Sequence, residues 1–375
     1  MSRACDACLT RTWLLARLAG HIDLHRDRVD SLLELDATEL ITAIAGARRP
    51  AVERELERFE PEAARRRAAQ AGLEQICRCD PDYPRGLAQL TATPAVLHVS
   101  GAAERFLALA DRAAVAVVGA RRPSQYGIDI ARALARGLAA AGVTVVSGMA
   151  LGIDSAAHRG ALDAGGATIA VLAGAAERPY PVRARALHRR IQTDGAVLSE
   201  LPPGADTRRW MFPARNRLIA ALSALTVVVE ARPGSGALLT AEHAARLGRP
   251  LGAVPGRVTS PLARGPHALL RDGALLIEGA EDVFDGLFEV GLAEVHPPAQ
   301  RSLGPPAQPS LGPPARVELE PELQSVLDAF AEGRGVAEAL AHAGLDADRG
   351  LAALASLELA GRIRRVPGGR YSVLP

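Results

Sequence analysis

Short, wholly apolar segments alternate with helical patterns through the middle of the chain, and this alternation constrains the fold most. Each apolar run is three to five residues long, too short for a buried helix. Strands that are apolar on both faces belong to a parallel sheet covered by helices on both sides. The predicted strands span residues 96–99, 115–118, 143–146, 168–172, 196–198, 225–229 and 251–254.

The segments between these strands have helical spacing, and they complete the prediction of the fold class. The predicted helices span residues 125–141, 154–164, 183–192, 215–221, 237–247 and 262–270. We therefore predict an α/β fold, a doubly wound Rossmann-like parallel sheet, over residues 79–290. Residues 1–78 have apolar side chains at helical spacing, which predicts a small N-terminal all-helical, SAM-like domain.

The composition changes sharply after the sheet domain. Residues 291–318 are rich in proline and contain SLGPPA twice, which is typical of an extended linker. Residues 319–375 predict three helices and a hairpin turning at Gly368-Gly369, the pattern of a C-terminal winged helix. Winged helices often read duplex DNA through their third helix. Here Asp348 and Glu358 accompany Arg349 on that helix, which disfavours contact with phosphate.

The charge pattern limits how this chain can bind a polyanion. The net charge is only +2, so a nucleic-acid surface has to come from local arrangement. All 44 basic residues are arginine, whose planar guanidinium suits phosphate and base stacking. The longest apolar run near the N-terminus is short and broken by Arg17, which argues against a spanning helix or signal peptide. We expect a soluble, cytoplasmic protein.

Four cysteines occur as two close pairs, Cys5-x-x-Cys8 and Cys77-x-Cys79. Two such pairs can bind zinc, but the second spacing is tighter than is usual for a structural site. Reduced thiols are the expected state of cysteines in a cytosolic protein. The spacing therefore favours four free thiols and no metal.

The stretch from residue 212 to 242 carries the clearest site signal. It contains Arg215, Asn216 and Arg217 ahead of a strand, and a glycine-rich loop at the start of the next helix. Backbone N–H groups and the dipole at a helix start favour an anion, and glycines let the backbone approach it. The loop residues predicted to hold phosphate are Gly234, Ser235 and Gly236.

The turn after the strand at 115–118 is the second part of the predicted site. Its sequence, VVGARRPSQYG, places Gly119, Arg121 and Arg122 at the carboxyl edge of the sheet. Ser124 is suited to cap the next helix, and Tyr126 offers an aromatic surface. The spacing is not GxGxxG and no acid stands at the ribose position, so we expect no dinucleotide cofactor.

Further turns reach the same edge of a parallel sheet and should converge with the first two. They contribute Gly148 and Gly152 in one loop, and Arg257 and Arg264 in another. His158 is expected to be a buried structural residue, and no Ser–His–Asp arrangement can be assembled. The sequence thus predicts one cleft lined with arginine, glycine and small hydroxyls, without catalytic residues.

Seven segments in order over about residues 80–280 resemble the DprA (Smf) family of DNA-processing proteins. The resemblance implies a non-enzymatic protein that binds single-stranded DNA without sequence preference. It also implies that Thr240 belongs to the phosphate loop with Gly234, Ser235 and Gly236. It further implies a homodimer that protects incoming DNA and brings the RecA recombinase onto it during natural transformation. The chain departs from the family pattern at Ala120, Ala184 and His267. The matching segments are VGARRPSQYG, SGMALGIDSAAHRGAL, VLAGAAERPYP, LSELPPG, FPARNRLIAALS, VVVEARPGSGALLTAEHA and VPGRVTSPLARGPHALLRDGA.

Two other functions stay open at this point. A nucleotide phosphoribohydrolase has a similar fold and a glycine-rich loop followed by a glutamate, here Glu242, although the spacing of that glutamate differs. The appended winged helix would have no use in such an enzyme. A duplex-DNA regulator built on the winged helix is the other alternative, and the acidic residues of its third helix argue against it.

Overall fold

The computed structural model describes residues 4–289, 320–332, 334–345, 347–359, 362–366 and 370–373. The chain divides into two compact units, Met1–Gln300 and Arg301–Pro375. The predicted proline-rich linker and the Gly368-Gly369 turn lie outside the described residues. Within the described ranges, every helix is too short or too polar to cross a lipid bilayer.

The first unit begins with a run of short helices that confirms the predicted helical region. The fourth of them starts at a capping box, because Asp36 accepts a hydrogen bond from the Glu39 amide while the Glu39 carboxylate accepts one from the Asp36 amide. These helices are α1 (Asp6–Arg17), α2 (Ala19–Leu24), α3 (Val29–Glu34), α4 (Ala37–Ile44), α5 (Arg49–Glu57) and α6 (Pro61–Gln70).

A nine-stranded sheet follows, with the order β1-β2-β6-β5-β4-β3-β7-β8-β9. Strand β2 pairs antiparallel with both β1 and β6, and all other neighbours are parallel. The strands are β1 (Leu73–Cys77), β2 (Val96–Ser100), β3 (Ala114–Val118), β4 (Thr144–Ser147), β5 (Thr168–Val171), β6 (Ala196–Ser199), β7 (Leu225–Val228), β8 (Leu251–Ala253) and β9 (Leu275–Leu276).

Helices cover both faces of the sheet, as the apolar runs predict. Alternate residues of β3 enter opposite cores. Ala116 and Val118 pack with the helices of residues 103–110, 211–222 and 236–246, whereas Val115 and Val117 pack with those of residues 125–140, 153–163 and 280–289. The doubly wound Rossmann-like fold is thereby confirmed. These helices are α7 (Arg85–Ala88), α8 (Ala103–Ala110), α9 (Gln125–Ala140), α10 (Ile153–Asp163), α11 (Arg185–Asp194), α12 (Met211–Leu222), α13 (Gly236–Arg246), α14 (Arg264–Arg271) and α15 (Ala280–Glu289).

The strand order reverses beside β3, and this reversal positions the candidate site. From β3 the chain proceeds through β4, β5 and β6 on one side, then returns so that β7 pairs with the opposite edge of β3. The loops that leave β3 and β7 therefore diverge at the carboxyl edge. Ligands of open α/β sheets bind in the crevice that opens at such a switch point.

The helical region and the sheet share one core, and the sheet begins earlier than residue 79. Strand β1 precedes the predicted boundary and pairs with β2 over five residues. Trp210, fully buried before α12, packs among the N-terminal helices and donates its indole N–H to the carbonyl of Ala19 at 2.9 Å. The N-terminal helices are therefore packed against the rest of the first unit.

The second unit has the predicted winged-helix elements. Its helices pack around Val326, Phe330 and Leu357, with Ile363 of the hairpin completing the core. The hairpin is antiparallel, with Ile363 opposite Val373. The elements are α16 (Pro321–Ala331), α17 (Val336–His342), α18 (Ala347–Leu359), β10 (Ile363–Val366) and β11 (Arg370–Val373).

Replacing Trp210 should loosen the helical region from the sheet. We expect Trp210→Ala to lower the free energy of unfolding by about 3–5 kcal/mol, because a large buried aromatic and its hydrogen bond are lost. Urea denaturation followed by circular dichroism measures the change. Leu24→Ala is the control, since Leu24 is exposed and should change stability by less than about 0.5 kcal/mol. Equal losses in both variants would contradict the shared core.

Candidate functional site

A cleft of about 460 Å³ opens at the switch point, between the turn after β3, the loop after β7 and the first half of α12. Its lining is a mixture of arginine, glycine and small polar residues with apolar side chains at the base. Among the predicted site residues, the cleft brings together Gly119, Arg121, Arg122, Arg215, Asn216, Ser235, Gly236 and Thr240.

Glycines allow the turns at the cleft to lie close to one another. A Cβ at Gly119 would lie 2.6 Å from Ile153 and 2.9 Å from the carbonyl oxygen of Glu230. Gly152 has φ +83°, and a Cβ there would overlap the carbonyl of Ala120. Gly148 leaves the space occupied by the Arg215 guanidinium. Gly148 and Gly152 therefore do not line the cleft, but they leave the room in which its lining residues pack.

Arg215 forms the charged base of the cleft. Its side chain is buried and donates to the carbonyl of Val171, while its Nε has no hydrogen-bond partner among the described residues. Burial lowers the pKa of Arg215 to about 10, and the nearby Asp154 carboxylate opposes that change. Arg215 consequently stays a cation at neutral pH, and it presents a desolvated positive charge.

Three exposed arginines stand at the rim. Arg121 and Arg122 follow β3, and Arg232 follows β7, so they face each other across the switch point. The Arg121 guanidinium lies 4.9 Å from the ring centroid of Phe212, a stacked arrangement that holds it over the cleft. Within the described part of the chain, none of the three forms an ion pair, so their charges are available to a ligand.

The start of α13 forms the opposite side of the cleft. Asn216 donates its amide to the carbonyl of Gly236 at 2.9 Å and ties this helix start to α12. The hydroxyl of Ser235 is buried beside the cleft without a hydrogen-bond partner in the described residues. An unpaired donor at a helix N-terminus favours an anionic ligand. Gly234 adopts φ +71° in the exposed loop just before it.

Ser124, Tyr126 and Arg257 lie in a neighbouring recess of about 600 Å³. Ser124 caps α9 as predicted, accepting from the Gly127 amide at 3.2 Å, and its hydroxyl donates to the buried Glu230 carboxylate at 2.6 Å. Tyr126 is half-exposed and donates its hydroxyl to the carbonyl of Pro255 at 2.9 Å. Ser124 is thus fully engaged in structure, while the Tyr126 ring remains open to a ligand.

Arg217 does not belong to the cleft, which corrects its assignment as a phosphate contact. It is 4% exposed, and both terminal nitrogens donate to the Glu200 carboxylate at 2.8 Å. The two charges neutralise each other inside the protein, so the ion pair holds α12 to the segment that follows β6. Arg264, exposed at the start of α14, lines neither recess.

His158 is the structural residue that the sequence predicts. Thr168 donates its hydroxyl proton to the carbonyl of Val145, so the Nδ1–H of His158 must donate to Thr168 Oγ1 at 2.7 Å. Complete burial lowers the pKa of His158 to about 3 and keeps the ring neutral. Glu242, needed by a hydrolase, is exposed on α13 and does not line the cleft.

The cleft residues that were not selected from the sequence include Asp154, Phe212 and Arg232. Arg232 carried a usable signal, since it follows the carboxyl end of β7 just as Arg121 follows that of β3. Phe212 was also accessible, because it opens the conspicuous 212–242 stretch. The role of Asp154 depends on its distance from Arg215, which spacing along the chain does not reveal.

The fold and cleft together define a class, a Rossmann-like α/β protein with an arginine-lined crevice at its switch point and an added winged helix. The family model described as DNA recombination-mediator protein A matches residues 74–288. The model described as the DprA winged helix domain matches residues 306–369. The chain therefore belongs to the DprA (Smf) family of DNA-processing proteins.

Similar proteins agree with this placement. Putative DNA processing protein DprA of Mycobacterium tuberculosis is 49% identical over 199 residues, or 53% of this chain and 51% of that protein. The chain thus spans about half the length of that relative. The crystal structure of DprA from Streptococcus pneumoniae has a TM-score of 0.60 and 33% identity, covering 74% of this chain and 95% of that one.

A second solved structure is that of DNA processing protein A from Helicobacter pylori, whose description concerns its single-stranded DNA binding mode. It has a TM-score of 0.52 and 29% identity, and covers 59% of this chain and 98% of that one. Both structures support the fold assignment independently of the sequence patterns.

Arg217 should be required for stability. We expect Arg217→Ala to lower the free energy of unfolding by about 3–5 kcal/mol, because Glu200 is left buried without its counter-charge. Replacing both partners, as Arg217→Met with Glu200→Leu, should recover most of the loss. Urea denaturation measures both. Arg122→Ala is the matched control and should unfold like the parent. A stable Arg217→Ala with weakened DNA binding would restore the original assignment.

Proposed function

We propose that this protein binds single-stranded DNA without sequence preference along the switch-point cleft. In this proposal it protects incoming DNA in the cytoplasm and loads the RecA recombinase onto it, as part of recombination during natural transformation. The observation that carries the proposal is the set of unpaired arginines on both sides of one crevice, above a buried cation. Family membership and the described DNA binding of the H. pylori relative support it.

A polymer fits this arrangement better than a mononucleotide. Arg121 and Arg122 stand on one rim and Arg232 on the other, so cations are spread along the opening. The half-exposed Tyr126 ring and Arg257 continue the surface into the neighbouring recess. A row of guanidinium groups with occasional rings is how sequence-independent single-strand sites hold backbone and bases. We infer that the strand passes over both recesses.

The cleft offers little for hydrolysis. Its lining contains one carboxylate, Asp154, which is buried and accepts from the Ala150 amide at 3.3 Å. Burial raises the pKa of Asp154, while Arg215 counters that effect. A carboxylate held between an amide and a buried arginine is poorly placed to activate water at a sugar carbon. We therefore propose a binding protein that acts without catalysis.

Single-strand binding should depend on the rim arginines. We expect Arg121→Ala and Arg232→Ala each to weaken binding of fluorescent oligo-dT by about tenfold, because each removes a charge-assisted hydrogen bond to phosphate. The slope of log affinity against log salt should become shallower by about 0.7 per lost contact. Fluorescence anisotropy at several salt concentrations measures both quantities, and duplex of the same length should bind much more weakly.

Arg136→Ala is the matched control for these titrations. Arg136 is also exposed, on α9, but lies eleven residues beyond Gln125, so it is displaced by about 16 Å from the cleft end of that helix. Its loss should leave affinity near that of the parent. Equal affinity for single strands and duplex would refute the proposal, and release of free base from AMP would favour the phosphoribohydrolase instead.

The proposed partners require separate tests. A homodimer formed through the Rossmann-like domain should sediment at twice the chain mass, and a monomer at all concentrations would contradict it. The chain should shorten the lag before RecA hydrolyses ATP on single-stranded DNA. The double variant Arg121→Ala with Arg232→Ala should lose that effect, because the strand is no longer presented. An unchanged lag with the parent protein would remove RecA loading from the proposal.

A further inference from the structure

The side chains of all four cysteines of the chain lie together, and none of the four lines the cleft. Cys5 and Cys8 come from the start of α1, and Cys77 and Cys79 come from the end of β1 and the turn that follows it. Their four sulfurs lie within 4.8 Å of one another. The chain contains four cysteines in total, so the cluster uses every thiol available to it.

The separations match a single tetrahedral ion. A zinc–thiolate bond is about 2.3 Å long, which places the sulfurs of a tetrahedral site about 3.8 Å apart. Cys79 Sγ lies 3.8 Å from Cys8 Sγ and 3.9 Å from Cys5 Sγ. Disulfide sulfurs are bonded at about 2.05 Å, so these distances describe neighbouring thiols and not a bridge.

Local backbone geometry explains how the tight Cys-x-Cys spacing works. The chain turns immediately after β1, where the amide of Asp80 donates to the carbonyl of Cys77 at 2.9 Å. The turn brings Cys79 back beside Cys77. On the other side, Cys5 stands at the N-cap of α1 and Cys8 lies within its first turn. Neighbouring positions on that turn can point two sulfurs at one centre.

Groups that are not ligands hold the cluster in place. Arg65 of α6 donates to the carbonyl of Ala4 at 3.0 Å and pairs with Asp6, so it fixes the segment that carries Cys5. The amide of Cys5 donates to the sulfur of Cys77 at 3.4 Å. Such an N–H···S contact is the kind of outer hydrogen bond that orients metal ligands. Leu9 and Val96 close the apolar side of the cluster.

We propose that Cys5, Cys8, Cys77 and Cys79 bind one zinc ion in a structural site. Four thiolates complete the tetrahedral coordination, which leaves no open position for a substrate or an activated water. The ion joins the start of the helical region to its exit at the sheet. The expectation of four free thiols rested on the tight Cys-x-Cys spacing and on the reduced state of cytosolic cysteines. The folded turn after β1 removes the objection from spacing, and reduced thiols are the form that binds zinc.

Metal analysis of the untagged full chain tests the proposal directly. Purified under reducing conditions from zinc- and iron-supplemented medium, the protein should carry one zinc per chain by mass spectrometry of the metals. Cobalt substituted for zinc should give the intense tetrahedral bands and thiolate charge-transfer absorption of a four-sulfur site. Since the chain has no other cysteine, that absorption can arise only here. Absence of bound metal, or iron with sulfide, would overturn the proposal.

The double variant Cys5→Ser with Cys79→Ser distinguishes the loss of the zinc ion from the loss of buried side chains. It removes two ligands but leaves Cys8 and Cys77, the two buried members, in the core. We expect it to lose the zinc and to melt at a lower temperature than the parent. A strong chelator should lower the melting temperature of the parent and leave the variant unchanged.

Ala7→Ser is the matched control for the cysteine variant, because Ala7 is exposed on α1 between Cys5 and Cys8 and is not a ligand. It should retain one zinc per chain. Thiol titration adds a readout that does not depend on variant folding: all four thiols should be shielded in the native protein and released by chelator. Fewer than four thiols in the denatured, unreduced protein would indicate a disulfide and contradict the site.

Discussion

The buried carboxylate of Glu230 holds the two halves of the cleft together. It accepts hydrogen bonds from the amide and hydroxyl of Ser124 at 2.8 and 2.6 Å, while the backbone carbonyl of Glu230 accepts from Ala120 at 2.6 Å. Gly127 leaves the room that this carboxylate occupies. A desolvated carboxylate is stable only while such donors are present. The turn after β3 and the loop after β7 are consequently held together at the edge of the cleft.

The arginines of the first unit divide by environment into two kinds. Arg215 and Arg217 are buried and hydrogen-bond to protein groups, whereas Arg121, Arg122 and Arg232 are exposed at the surface. The buried guanidinium groups fix the position of α12, and the exposed ones are accessible to a ligand. Because all are arginine, the charge of the rim does not change across any ordinary pH. The composition of the chain therefore favours binding that responds to salt and hardly to pH.

Much of this architecture was predictable, because the strands are buried on both faces and so have continuous apolar sequences. Strand β7, for example, differs from its predicted bounds by one residue. Strand β1 was missed, since LEQIC mixes polar and apolar residues at the sheet edge. The site was predicted as a set of loops but not as a set of contacts. Arg215 and Arg217 look alike in sequence, and only the fold brings Glu200 to the second of them.

The cysteine cluster eluded sequence reasoning for the same reason. Its two halves are more than seventy residues apart, and their meeting depends on β1 returning beside the start of α1. Likewise, the predicted boundary at residue 78 followed a change of sequence pattern, whereas the packing of Trp210 crosses it. The spacing of apolar residues predicts local structure well. It does not predict which distant segments of the chain pack in the same core.

The end of β1 lies beside the start of α1, and this has a mechanical consequence for the helical region between them. The helical region begins and ends at the cysteine cluster, and Trp210 anchors its interior to the segment before α12. Because both ends of the helical region meet at the cysteine cluster and its interior contacts Trp210, this region does not have the single flexible connection on which an appended domain rotates. The exposed loop around Gly234 and the rim side chains are then the parts beside the cleft that can adjust to a ligand. The body of the first unit thereby acts as a rigid frame.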